Sequence, residues 1–590
     1  MYTLLYYNKD IFTLITIRNK NSSSCDNDFS ESSVYEEYPS NDEASFTSDD
    51  DFQYSDASSE FEESDNNSDS SEDSEIYEEA STFFHKDAEK PVYDGARITV
   101  AESITAILSL LVSFPVSGVL LARILSIIEL HCPRPNKCIK TLYYFKNFFK
   151  NFKNPLIRHF YCSYCFFKLE FEKSVCPNCK DKTKVSYFIE IPIISQLQSL
   201  YRRKGFFETV SSYRYTRKKQ VQNNYEDIYD GSVYKKLEES FLSDKNNISF
   251  MWYTDGIPLF KSSAFAIWPV YLAINELPYK ERFKKENIIL AGLWFGNKKP
   301  VPYLFLRAFK ESLEIIYRGI TLKISNIKKI LVRGLIICCT CDLPAKSLFY
   351  NMNQFNGYYG CPLCKLIGKR INNVHFFPFK NNLDLRTSSG TKEDASTADK
   401  TKKKKNGVKG HTLLSKTVHD FIAASAIDIM HCVFGGVTKK LMHLWFNKEF
   451  HNLKFSLRKN MKTIDEYLCS ICPIIGTTRK PKTLDDVSHW KASEFKSFLL
   501  IYSLPILKNF MEKKYFEHHK LLVFAISVLT SESISDEDLE NASKALIAYV
   551  RKFSNLYGRK YMTLNIHLLL HLILNVRKFG PLFTTSCFPF

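Results

Sequence analysis

The chain has 590 residues, room for three or four domains at about 150 residues each. Apolar residues make up 45% and charged residues 24%, which excludes a wholly disordered or fibrous chain. The net charge of +16 is segregated: residues 21–80 hold 21 acids, 17 serines and no Lys or Arg, so residues 81–590 carry 77 basic against 42 acidic side chains. A basic body behind an acidic segment points to a polyanionic partner, most often nucleic acid.

In chain order, residues 1–20 are apolar but interrupted by Lys9, Asp10 and Arg18, with no signal-peptide core or cleavage site. Residues 1–92 as a whole read as a disordered, acidic, Ser-rich tail, either a solvated segment or one for interaction and phosphorylation. Residues 93–155 read as a helical domain. Its apolar run, 104–121, reaches the roughly 18-residue lower limit of a membrane span. Pro115, Gly118 and the serines at 109, 113 and 117 favour a buried helical hairpin and no membrane association. Cys132 and Cys138 lack a partner pair and read as incidental.

The sixteen cysteines do not read as a disulfide framework, because several fall in Cys-x-x-Cys pairs typical of metal ligands. Over residues 156–183, Cys162/Cys165 and Cys176/Cys179 are separated by ten residues. Four thiolates on two such turns suit a tetrahedral zinc ribbon with a short hairpin between them, a structural site rather than a catalytic one. Cys469/Cys472 has no partner pair and is expected in the core. Residues 184–245 read as a basic linker. Its stretch from Tyr201-Arg-Arg-Lys204 to Tyr213-Arg-Tyr-Thr-Arg-Lys-Lys219 suits either phosphate contact with base stacking or a solvated amphipathic helix.

From residue 246 short apolar runs predict a mixed α/β core. Ile248-Ser-Phe-Met-Trp-Tyr-Thr-Asp255-Gly256, the run 264–270 and the run 288–294 read as three successive antiparallel strands. Residues 302–317 read as a helix, and residues 329–341 as a further buried strand ending at Asp342. That order is the order of a ribonuclease-H-like fold. Residues 381–410 read as a polar loop ending in a lysine run at 400–405, and 411–575 as mostly helical. An aspartate at the end of a buried strand is costly unless paired or bound to a metal. Asp255 and Asp342 on neighbouring strands suit Mg²⁺, which takes hard oxygen ligands, although Asp255-Gly256 also reads as a plain turn.

Trp252-Tyr-Thr-Asp255-Gly256, Cys341-Asp342-Leu-Pro-Ala-Lys346, Asn356-Gly-Tyr-Tyr-Gly-Cys361-Pro-Leu-Cys364, Asp428-Ile-Met-His431 and Asn565-Ile-His567-Leu-Leu-Leu-His571 together resemble the CACTA (En/Spm) family of DDE transposases. The resemblance spans roughly residues 95–590. It implies a ribonuclease-H-like catalytic core with a long helical insertion, metal-dependent cleavage of transposon ends and strand transfer to target DNA, with Asp255 and Asp342 as the first two acids holding Mg²⁺. It also implies double-stranded DNA as partner, homo-oligomers on DNA, and a nuclear location, to which the lysine run adds a little. In that family a Cys-x-x-Cys after the second acid joins a distant His pair, so the resemblance implies a second zinc on Cys361, Cys364, His567 and His571. His567 and His571 fall at i and i+4 on one helix face. A rival set replaces the histidines with Asp428 and His431. The family's third acid, a Glu, follows a Gly-Pro and aromatic-Pro-Phe lead. Here Gly580-Pro581 and Cys587-Phe-Pro-Phe590 supply the lead and no Glu follows, so a truncated and inactive transposase is expected, the alternatives being a relic or domesticated zinc-containing DNA-binding protein and an interaction scaffold.

Overall fold

The computed structural model describes residues 88–114, 116–148, 156–259, 264–472 and 480–586. Nearly all of the acidic tail, and residues 587–590, lie outside them. The chain divides into two compact units, 1–155 and 156–590.

In the first unit the apolar run is split into two helices, Val100–Ser113 and Gly118–His131, followed by a short helix, Leu142–Phe148. Each long helix starts where its sequence provides a cap: Thr99 and Glu102 form a reciprocal capping box, and the Ser117 hydroxyl accepts from the Leu120 amide. Ile104, Leu108, Leu121, Leu125 and Phe145 are buried together. The helical-hairpin expectation agrees with this arrangement, and among the described residues no helix is long and apolar enough to cross a membrane.

The second unit is built on a mixed sheet. Its strands are β1 (Ile157–Cys162), β2 (Lys168–Leu169), β3 (Val185–Glu190), β4 (Ile248–Thr254), β5 (Ile257–Pro258), β6 (Ala266–Ile274), β7 (Ile289–Gly296) and, after a separate hairpin of β8 (Ile320–Lys323) and β9 (Lys329–Val332), β10 (Gly334–Thr340). The order across the sheet is β10-β4-β6-β7-β3-β1-β2, with β5 paired to β6. β4, β6 and β7 are successive antiparallel neighbours, and β10 runs parallel to β4 on its free side. Beyond β10, Val418 and Ser425 make isolated parallel bridges to Ile336 and Cys339, with a turn at 419–424 between them. The Cys339 amide donates to the Ala424 carbonyl at 2.7 Å and the Ala426 amide to the Cys339 carbonyl at 3.0 Å.

β4 and β10 read as unbroken apolar runs because they are covered on both faces, and β10 is buried at every position. The Pro302–Arg318 helix buries Phe305, Leu306, Phe309 and Ile316 against the sheet. Gly292 on β7 permits this packing: a Cβ there would lie 2.6 Å from the Phe309 ring and 2.7 Å from the Ile189 carbonyl of β3. A second core fills the helical region, where the antiparallel pair Lys513–Leu529 and Asp536–Tyr557 packs around Trp445, Leu522, Ile526 and Phe553.

Several expected boundaries are corrected by this topology. The Cys-rich segment 156–183 is not a free-standing module, because β1 pairs along its whole length with β3, which joins β7 of the large sheet. Residues 184–245 are not a linker. They contribute β3 and the helices Ile193–Tyr201, Phe206–Thr216 and Ser232–Glu238, with Leu197, Tyr201 and Val210 buried. Much of the basic stretch there is structural: buried Arg214 donates to the Asp244 and Asn247 carbonyls, and Arg217 and Lys219 both pair with buried Asp230. The polar loop 381–410 contains a helix, Ser388–Thr401, whose Asp394, Ala395 and Ala398 are buried. Its low hydrophobicity hid it, since only small residues face the core. The run 329–341 is two strands, broken at Arg333, with β9 turned away to pair with β8. Cys469 and Cys472 are exposed rather than core.

Candidate metal centres and carboxylate site

Asp255 directly follows β4 and Asp342 closely follows β10. The two strands are parallel neighbours, so both acids leave the sheet at the same end. Asp428 follows Ser425 and Ala426, which bridge to Cys339 on the other side of β10, and its partner His431 lies 3.6 Å from Asp255, so Asp428 falls at that end too. The sequence reading missed these two short bridges, because the residues between them, 419–424, form a turn; the Asp-x-x-His spacing was the remaining signal.

Local contacts fix each acid. The Asp255 carboxylate accepts from the Gly256 amide at 2.7 Å, and glycine is required next because a Cβ there would sit 2.5 Å from the Trp268 ring. Asp342 caps the helix Leu343–Phe349, accepting from the Ala345 amide at 2.7 Å. Asp428 is buried and accepts from the Met430 and His431 amides at the start of the helical run Met430–Thr438. Buried Lys346, from the helix that Asp342 caps, donates to the Ala426 carbonyl and ties the 418–426 segment to that helix.

His431 stands between the acids. Its Nδ1 bonds to Asp428 and its Nε2 lies 3.6 Å from Asp255. Burial, then the Asp342 charge, pushes the Asp255 carboxyl up to about 6, against relief from His431 and the Gly256 amide. Burial raises Asp342 as well, opposed by the Ala345 amide and His431. Burial works against charge on His431, yet the Asp428 hydrogen bond and the charges of Asp428, Asp255 and Asp342 carry it up to about 9. Three carboxylates are thus gathered in partly desolvated surroundings around one imidazole. The carboxylates do not close into one ligand set: among the described residues only two groups bring three or more ligand atoms within 4.8 Å of one another, and both are made of Cys and His.

The first group is Cys361, Cys364, His567 and His571, all buried. Cys364 Sγ lies 3.3 Å from His567 Nε2, Cys361 Sγ 3.6 Å from His571 Nε2, and the two Nε2 atoms are 3.2 Å apart. Ligand bonds of about 2.3 Å to sulfur and 2.0–2.1 Å to nitrogen, at tetrahedral angles, would place S and N about 3.6 Å apart and the two nitrogens about 3.3 Å apart. The four residues therefore fit a tetrahedral ion such as zinc. The helix changes winding between the histidines, from Leu564–Leu568 through the tighter turn Leu569–His571, and still presents both on one side. Arg386 holds the cysteine turn, donating to the carbonyls of Cys361, Tyr359 and Asn406. The rival ligands Asp428 and His431 are engaged with each other and with Asp255 instead.

The second group is Cys162, Cys165, Cys176 and Cys179. Its two turns repeat one backbone device. The residue four after each first cysteine, Phe166 or Lys180, is left-handed at φ 61° or 48° and donates its amide to that cysteine's carbonyl at 2.8 Å. Cys165 and Cys176 bring their sulfurs to 3.4 Å. This set also fits an ion such as zinc.

Residues 145–410 match the family described as a protein of unknown function, DUF1258. The match takes in the four-cysteine group, Asp255, Asp342, Cys361 and Cys364, and stops before Asp428, His431, His567 and His571. No curated protein matches the chain.

Proposed function

We propose that the chain is a DNA transposase of CACTA type, a ribonuclease-H-like core of the kind that cleaves and joins DNA strands at transposon ends using Mg²⁺, in a form that lacks the family's third acid and is inactive. The observation that carries this reading is the emergence of Asp255 and Asp342 from one end of two adjacent parallel strands. The wider topology supports it. Three antiparallel strands, a covering helix and a fourth strand parallel to the first follow the order of that fold, with isolated parallel bridges at Val418 and Ser425 on the fourth strand's free edge. Mg²⁺ held by Asp255 and Asp342 would activate an attacking oxygen and stabilise the leaving one. Asp428 holds the His431 imidazole beside the site, within 3.6 Å of Asp255. The four-cysteine group is then a zinc ribbon, and the Cys361–His571 group a second structural zinc. The reading further proposes double-stranded DNA as substrate, homo-oligomers on DNA and a nuclear location.

A second reading, a DNA-binding relic without catalysis, draws on one feature. The capping bond of Asp342 and the pairing of His431 with Asp255 and Asp428 give these acids structural work. The deciding experiment is nicking of a DNA duplex that carries the element's own ends, by the chain extended to supply the third acid, with Mg²⁺ and with Ca²⁺. Nicking in Mg²⁺ that is lost in Asp342→Asn supports the transposase. Tight binding with no nicking, unchanged in Asp342→Asn, supports the relic.

A further inference from the structure

Beside the Cys361 turn the structure presents a rigid basic surface. The four consecutive lysines Lys402–Lys405 are exposed, and they are not on a loose loop. Lys402 and Asn406 are left-handed at φ 55° and 48°, and Gly407 follows at 80°. Arg386 donates to the Asn406 carbonyl at 2.7 Å, the Asn406 side-chain Nδ2 donates to buried Asp394 at 2.9 Å, and Lys405 and Val408 exchange backbone hydrogen bonds. Gly407 is required here, since a Cβ would lie 2.6 Å from the Tyr359 carbonyl. The lysines are thereby fixed against the turn 353–359, where the Asn353 amide donates to the Gly407 carbonyl at 2.7 Å.

That turn extends the surface. Exposed Tyr358 packs its ring edge-on to His375, 5.0 Å away. His375 is on the hairpin of β11 (Lys369–Ile371) and β12 (Val374–Phe376), where it pairs with exposed Arg370. Residues 351–411 hold twelve Lys and Arg against four Asp and Glu. Of those four acids, Asp394 is buried and Asp399 is bound to His411. Placing several lysines at fixed positions raises their mutual repulsion, which a polyanion relieves. The turn is also close to the proposed chemistry: the seven-residue helix from Asp342 to this region is about 10 Å long.

We propose that the Lys402–Lys405 turn, with Arg370 and Tyr358 beside it, is a phosphate-backbone contact for double-stranded DNA entering the carboxylate site. This deepens the transposase reading and rests on DNA being the substrate. Lysines on a pinned turn contact phosphates without selecting sequence, so the surface would position the duplex and leave base recognition to other parts of the chain.

The test uses the full chain and fluorescence anisotropy with a 30-base-pair duplex over a series of KCl concentrations. One variant is Lys402→Gln/Lys403→Gln/Lys404→Gln. The control variant, Lys513→Gln/Lys514→Gln/Lys520→Gln, removes the same charge from exposed positions of the Lys513–Leu529 helix. The expected result is that the log Kd against log salt slope falls by about 2–3 in the first variant, near 0.9 per lost phosphate contact, and stays unchanged in the control. Equal slopes for the wild type and the first variant, or equal losses in both variants, overturn the proposal while leaving DNA binding in place. A wild-type chain that does not bind duplex DNA overturns the underlying reading. Polyglutamate that binds the wild type as tightly as DNA, and is lost in the first variant alone, assigns the surface to an acidic protein and also overturns the proposal.

Discussion

Removing one cysteine from each metal group should have unequal consequences. An ion on Cys361, Cys364, His567 and His571 ties segments about 203 residues apart, whereas the four-cysteine group closes a connection of 11 residues between Cys165 and Cys176. By the chain-entropy relation for cross-links, closing the long loop constrains the unfolded chain by about 5 kcal/mol and the short one by about 3. Cys361→Ser should therefore cost about 2 kcal/mol more than Cys162→Ser, beyond the ligand bonds lost in each. The sites of loosening should differ as well. Hydrogen exchange should show deprotection around β1–β3 for Cys162→Ser, and across the helices of residues 430–579 for Cys361→Ser, because His567 and His571 pack inside that core. Metal analysis should give two ions per wild-type chain and one in each variant. Equal shifts of the urea midpoint, or deprotection confined to residues 353–390 in Cys361→Ser, would refute the long-range tie.

Other perturbations separate structural from chemical roles. Asp342→Asn keeps a good N-cap and should unfold within about 0.5 kcal/mol of wild type, whereas Asp342→Ala should lose about 1 kcal/mol, read by thermal melts. Gly256→Ala should destabilise by about 1–3 kcal/mol in urea titrations, since its Cβ meets the Trp268 ring at 2.5 Å. Buried His518 and His519 are held neutral: burial, against a hydrogen bond to the Tyr549 carbonyl, takes His518 down to about 4, and burial with the neighbouring His518 takes His519 down to about 3. Because these folded values lie below the unfolded value of about 6.5, their contribution is complete above that pH and falls as the pH drops toward 4, by about 2 kcal/mol per histidine at pH 5. Urea midpoints at pH 7.5 and 5 measure that loss, and a His518→Gln/His519→Gln variant should flatten it. Deleting residues 21–80, which carry 21 acids, should tighten non-specific DNA binding in gel shifts.

The sheet was legible where the strands are apolar throughout. β4 begins and ends where the run 248–254 does, and β6, β7 and the Pro302–Arg318 helix lie within a few residues of their expected places. Periodicity could not show which strands pair. That β3 bridges the Cys-rich turns to β7 follows from registers such as Ile189 opposite Leu293, which are set by tertiary packing. The Cys361–His571 group was found through ligand chemistry and resemblance. His431 beside Asp255 was not, because nothing local in either segment records a contact between residues so far apart in sequence.

The carboxylate site and the Cys/His group are linked by short segments. Pro362, between the two cysteines, and Leu568, next to His567, line the same cavity as Asp342, Asp428 and His431. Just before Asp428, the Ile427 amide donates to Asn575 at 2.8 Å, on the helix that follows His571. Lys346, four residues after Asp342, holds the Ala426 carbonyl from the opposite side. Asp428 is thus fixed from three directions: by β10, by the helix that Asp342 caps, and by the helix that follows His567 and His571. Between Asp428 and His567 the chain makes a long helical excursion with its own apolar core. Without a tie at its return, that excursion would leave Asn575, and with it Ile427, free to shift. On this arrangement, loosening the Cys/His group should move Asp428 and His431 before it disturbs Asp255, which β4 and the Gly256–Trp268 contact hold independently.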